Sequence, residues 1–126
     1  MTVKPTPKSG ITFLKTKDID KTIHFYTQMM GFKLVLDQST CRIFKICPNC
    51  YLGFCKTDGD TGSEEVIITI EIDDVDGFCR QLEEKGVKIE VRPRFNERYQ
   101  IYQMFIRDPN GYLIEVQRFL DPRWEV

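Results

Sequence analysis

Histidine is almost missing from this chain: His24 is the only one among 126 residues. With a single imidazole, no metal centre can be assembled from several histidines, the common ligands of a catalytic transition metal. Neither sign of charge is in excess, with 18 Lys and Arg against 19 Asp and Glu and a net charge of −1. That balance gives no reason to expect nucleic acid or an acidic membrane surface as partner. No apolar run approaches the roughly 20 residues that span a bilayer. The opening residues, Met-Thr-Val-Lys-Pro-Thr-Pro-Lys, lack the hydrophobic core of a signal peptide, so the expected location is cytoplasmic. The cysteines Cys41, Cys47, Cys50, Cys55 and Cys79 are odd in number. In a reducing cytosol they are expected as free thiols.

What the chain does have is a repeat. Residues 11 to 35 read Ile-Thr-Phe-Leu-Lys-Thr-Lys, then Asp18-Ile19-Asp20, then a helical pattern ending Met30-Gly31, then Phe32-Lys33-Leu34-Val35. Residues 67 to 91 follow the same grammar, with Asp74-Val75-Asp76 as the acidic start and Lys85-Gly86 as the stop. Strand, acidic cap, helix, glycine and strand recur in one order, the signature of two copies of one supersecondary unit. Neither copy could bury its apolar face alone. The length suits a single domain, residues 1–126, with modules over about 11–56 and 66–118. Residues 57–65 contain no large apolar side chain and are read as the linker.

In each module the spacing predicts βαβββ. Asp18 is placed to cap a first helix whose stripe is Ile19, Ile23, Tyr26 and Met30, at intervals of three and four residues. His24, between Asp20 and Gln28, falls on its solvated side. Strands are expected over Phe32–Asp37, Cys41–Cys47 and Tyr51–Lys56, the last two joined at Pro48-Asn49. The second module opens with strand Val66–Ile72, and Asp74 caps a helix striped by Val75, Cys79 and Leu82. Strands Val87–Val91, Tyr102–Arg107 and Tyr112–Arg118 follow, with residues 94–100 as a loop or twisted strand. The last two strands are joined by the strong turn Asp108-Pro109-Asn110-Gly111.

The stretch from Asp18 through Phe25-Tyr26 to Gly31-Phe32, the Asp73-to-Asp76 cap, and Arg107-Asp108-Pro109-Asn110-Gly111-Tyr112 through Glu115-Val116 occur in this order. In that order and spacing they resemble the vicinal oxygen chelate superfamily, the glyoxalase, bleomycin-resistance and extradiol dioxygenase group. The resemblance covers about residues 11 to 118. It implies an α+β fold in which two βαβββ modules form a U-shaped mixed sheet around a cleft. It also implies, usually, a homodimer. Metal-dependent members hold a divalent ion with side chains from the head of each module's first strand, a strand late in the first half, and the strand after the Asp-Pro-Asn-Gly turn. Carried onto this chain, the last of these is Glu115. The two strand heads fall on Ile11 and Ile67, and the late first-half place falls near Tyr51 to Gly53. Only a carboxylate remains, whereas a catalytic ion needs about three protein ligands. The expectation is therefore no cofactor and no metal site, with a divalent metal only if the site is rearranged.

Alternation places Glu115 on the cleft face, either as a ligand-binding group and the best candidate for catalysis or as a relic paired with a nearby base. Phe13 and Lys15 from the first module, and Ile67, Thr69 and Glu71 from the second, should share that cleft with Gln103 and Phe105. Phe54 is taken as a further ligand contact, and Phe44, Phe95, Tyr99 and Tyr102 as available around the rim. An apolar lining with few polar groups suits a small organic ligand, although each side chain could equally fill a core. Arg92, Arg94 and Arg98 either meet an anionic ligand or form a solvated edge strand. Cys47-Pro48-Asn49-Cys50 reads either as a metal or redox pair or as thiols flanking a hairpin turn. The leading reading is a metal-free binder of a small molecule. The alternatives are a lyase, isomerase or dioxygenase with a metal site rebuilt from Glu115, Glu71 or the cysteines, and a structural dimer whose cleft is filled by its own side chains.

Overall fold

The computed structural model describes residues 5–124. The chain divides into two compact units between Thr61 and Gly62, inside the expected linker. The fold is α+β, and each unit is one βαβββ module.

In the first unit, β1 (Gly10–Thr16), β2 (Lys33–Asp37), β3 (Cys41–Cys47) and β4 (Cys50–Lys56) form a sheet in the order β1-β4-β3-β2. β1 runs parallel to β4, and the remaining pairs are antiparallel. A parallel neighbour needs a crossover, and α1 (Ile19–His24) supplies it. Its start is fixed by Asp18, whose carboxylate accepts the Lys21 backbone N–H at 3.0 Å. The expected single α-helix does not continue to Met30. From Phe25 to Met29 it widens into a π-helical turn closed by Met30 N–H donating to Phe25 O at 2.9 Å. Phe25 and Tyr26 in that turn are both buried. Tyr26 is fully buried, with its ring centre 4.8 Å from Phe54 and 5.5 Å from Phe44.

That aromatic cluster corrects two expectations. Phe54 and Phe44 do not reach a ligand or a rim, because both are completely buried between the sheet and the helix. In the register of β4, Phe54 alternates with Gly53, so one of them faces the helix and the other the opposite side. The cysteine expectation is corrected as well. Cys41 and Cys55 stand directly opposite each other on β3 and β4, their Cα atoms 4.1 Å apart, and are joined by a disulfide. Two halves of one hairpin brought them into register, which an odd count could not reveal. Cys47, Cys50 and Cys79 are free thiols.

The second unit repeats the plan as β5 (Ile67–Glu71), α2 (Val75–Glu84), β6 (Val91–Asn96), β7 (Ile101–Arg107) and β8 (Leu113–Phe119), in the order β5-β8-β7-β6. A short 3-10 turn, Ser63–Glu65, precedes it. Asp74 caps α2 by accepting the Gly77 N–H at 2.9 Å. The helix buries Val75, Cys79 and Leu82, the stripe expected. The strand expected at Val87–Val91 instead begins at Val91 and runs through Pro93 to Asn96. Pro93 is tolerated because β6 is an edge strand and its pairing with β7 slips between Val91 and Arg94. The Asp108 turn is anchored by its own carboxylate, which accepts the N–H groups of Asn110 at 2.8 Å and Tyr112 at 2.9 Å. Gly111 closes it with a φ of 89°, a conformation that costs a side-chain-bearing residue dearly.

Candidate functional site

Along β5 the burial alternates, turning Ile68 and Ile70 inward and leaving Ile67, Thr69 and Glu71 on the opposite face. The register then sets Thr69 beside Glu115 and Glu71 beside Gln117 on β8. On the other flank, Phe105 pairs with Glu115 and Gln103 with Gln117. The six second-module residues expected around a cleft therefore lie on one face of one sheet.

Glu115 is the centre of this face. Its Oε1 accepts the Thr69 hydroxyl at 3.2 Å and the Gln117 amide at 3.0 Å. These two donors orient the carboxylate and leave acceptor capacity for an incoming group. Beside it opens a cavity of about 630 Å³ lined by Arg98, Tyr99, Ile101, Gln117, Arg123 and Trp124, with Asp121. That volume is in the range of small-molecule sites. Trp124 stacks on Phe119 with ring centres 4.3 Å apart and planes 12° from parallel. The Arg98 guanidinium lies 5.3 Å from the centre of the Tyr99 ring, a cation–π distance.

The charges around the cavity are sorted by hydrogen bonding. Arg123 donates from Nε and Nη2 to both Asp121 oxygens. Those bonds hold the Asp121 carboxyl down at about 2, so the pair stays ionised and mutually neutralised at any ordinary pH. Arg98 forms no ion pair with another described residue. The cavity thus presents an acceptor at Glu115, a guanidinium at Arg98, and the flat faces of Tyr99 and Trp124.

Of the residues expected to touch ligand, Glu115 lines this cavity and Thr69 reaches it through Glu115. Glu71 instead accepts the Phe119 backbone N–H at 3.2 Å and borders a neighbouring cavity of about 440 Å³. Gln103 is buried, with its carbonyl oxygen accepting from Asn96 at 3.4 Å. Phe105 is half-buried beside Glu115, and Ile67 is exposed at the strand head. In the first unit, Phe13 and Lys15 are exposed on the sheet face away from Tyr26. Arg92 forms a two-pronged bond to Glu83 at 2.9 and 3.0 Å, while Arg94 is exposed. Ile101, Asp121, Arg123 and Trp124 were not anticipated. The sole tryptophan, five residues beyond Phe119 at the end of β8, was the available signal.

The two strand heads that the resemblance marks as metal positions supply no ligand. Ile11 and Ile67 carry no donor atom. The register moreover shows that the first-strand residue beside Glu115 is Thr69, two positions beyond Ile67. The equivalent pair in the first unit is Phe13 and Gly53. None of these offers an imidazole or a second carboxylate, and among the described residues no three His, Cys, Asp or Glu side chains stand together as a metal-holding group.

The family model of the glyoxalase/bleomycin resistance protein/dioxygenase superfamily matches residues 10–116, and the chain belongs to that family. A probable lactoylglutathione lyase of Vibrio parahaemolyticus serotype O3:K6 is 26% identical over 122 residues, covering 83% of this chain and 86% of the relative. Among solved structures, a glyoxalase/bleomycin resistance protein/dioxygenase from Nocardioides superposes with a TM-score of 0.77 at 16% identity, covering 100% of this chain and 91% of the other. An antibiotic binding protein from Streptomyces sp. CB03234 gives 0.72 at 22% identity, covering 94% of this chain and 98% of its own. The structural likenesses establish the fold. Among the described residues, no helix is long and apolar enough to cross a membrane.

Proposed function

We propose that this protein binds a small, flat organic molecule at the Glu115 cavity and does so without a catalytic metal. The observation that carries the reading is the oriented Glu115 carboxylate, held by Thr69 and Gln117 beside a cavity walled by Tyr99 and Trp124. A ligand with an N–H or O–H donor meets Glu115, its ring lies against Trp124 or Tyr99, and any anionic group faces Arg98. The antibiotic binding protein among the structural neighbours is consistent with such a role. A homodimer and a cytoplasmic location belong to the same reading.

Trp124 is the chain's only tryptophan, so its fluorescence reports the cavity directly. Titration with a panel of planar aromatic amines, phenols and antibiotics should quench or shift that emission and raise the melting temperature together. Quenching that persists unchanged in both Glu115→Ala and Arg98→Ala would overturn the assignment of the cavity.

The second reading is a lyase of the kind the Vibrio relative is named for. Metal analysis of freshly purified protein, with hemithioacetal turnover assayed after adding divalent ions, decides between them. A stoichiometric ion and turnover abolished by Glu115→Gln would favour the lyase.

A further inference from the structure

The hairpin joining β3 to β4 ends in two exposed free thiols that the cavity does not use. Cys47 and Cys50 are register partners across the Pro48-Asn49 turn, and both are solvent-exposed. Asn49 holds a φ of 62°, which closes the turn in two residues. Its carbonyl is tied to β1 by the Gly10 N–H at 3.0 Å, so the tip is docked to the sheet. The other two cysteines of the hairpin are already consumed in the Cys41–Cys55 disulfide. We infer that Cys47 and Cys50 form a two-thiolate site for a soft monovalent cation of the Cu(I) class.

The alternatives for a CxxC pair are weaker on chemical grounds. Structural zinc takes four donors, and among the described residues no third His, Cys, Asp or Glu joins these two. A redox pair is driven by a thiolate stabilised by a helix N-terminus or a neighbouring cation. Here the pair lies on a hairpin turn between two strands, not at a helix N-terminus. A soft d10 ion accepts two sulfur ligands without a third. The reaction balances as one cation plus two thiols giving a bis-thiolate complex of net charge −1 and two protons released to solvent.

The test uses the full chain, kept from air, titrated with Cu(I) against a chromophoric Cu(I) chelator. The expected result is a single equivalent withdrawn from the chelator, with two protons released, in the parent and in Cys79→Ser. Both Cys47→Ser and Cys50→Ser should lose this competition. The two replacements are exposed and nearly isosteric, so unchanged circular dichroism and melting temperature verify that each variant is folded. Competition that survives in the Cys47→Ser/Cys50→Ser double variant overturns the site. This outcome is independent of the Glu115 cavity, whose Trp124 signal should not respond to Cu(I).

Discussion

Thr69 and Glu115 face each other across the parallel pair β5–β8, and the Thr69 hydroxyl donates to Glu115 Oε1 at 3.2 Å. A hydroxyl in that position orients the carboxylate. Glu115→Gln keeps an oxygen for Thr69 but removes the charge that a ligand donor meets. Loss of a charged hydrogen bond is worth about 1.5–3 kcal/mol. Affinity for amine-bearing ligands should therefore fall about tenfold or more, read by Trp124 fluorescence, with little change in melting temperature. Equal affinity in the variant would remove Glu115 from the site.

The Cys41–Cys55 disulfide closes a loop with a sequence separation of 14. Restricting an unfolded loop of that length contributes about 3 kcal/mol in the chain-entropy account. Urea unfolding with a phosphine reductant should show that loss, while a Cys41→Ser/Cys55→Ser variant should unfold identically with and without reductant. A parent protein indifferent to reductant would mean that the bond contributes no stability in solution. Because this bond would be reduced in a cytosolic thiol pool, the same measurement bears on the proposed location.

Much of the fold could be read from residues 11–118 because punctuation and period agreed. Asp18 and Asp74 stand where helices start, and the Asp108 turn carries its own hydrogen-bonding instructions. The failures have physical causes. The π-helical turn at Phe25–Met29 cannot be told from an α-helix by spacing, since one added residue shifts the stripe only at its end. Phe54 was misplaced because period-2 alternation names two faces without saying which one the helix covers, and the neighbouring Gly53 gave no side chain to decide. The disulfide depended on hairpin register, set by an irregularity between Lys45 and Cys47. The cavity was half visible. Glu115 and Thr69 follow from alternation, but Trp124 and Arg123 come from a tail outside the repeat.

Phe13 lies with its ring over Gly53, where an added Cβ would stand 2.6 Å from Cδ1 and 2.7 Å from Cε1 of the ring. Gly53→Ala therefore forces Phe13 off its rotamer, which costs about 1 kcal/mol. The same substitution in a Phe13→Ala background should cost almost nothing, because the obstructing ring is gone and alanine reduces unfolded-state freedom. A double-mutant cycle by urea denaturation measures the coupling. Additive effects would show that the ring leaves Gly53 in solution.

Tyr102 donates its phenol proton to Asp76 Oδ1 at 2.6 Å, linking β7 to the first turn of α2. That hydrogen bond is the main reason its phenol titrates above the usual 10, with burial second and the charge of Asp76 third. The sign follows from linkage. The folded state holds this proton more tightly than the unfolded one, so the contribution is fully present below pH 10 and is lost as pH climbs through the raised value. Tyr102→Phe should accordingly be less stable than the parent at neutral pH, with the difference shrinking toward strongly alkaline pH. Denaturant midpoints for both proteins across that alkaline range provide the measurement, together with ultraviolet titration of the phenolate. A gap between the two midpoints that stays constant with pH would show that Asp76 does not hold the proton.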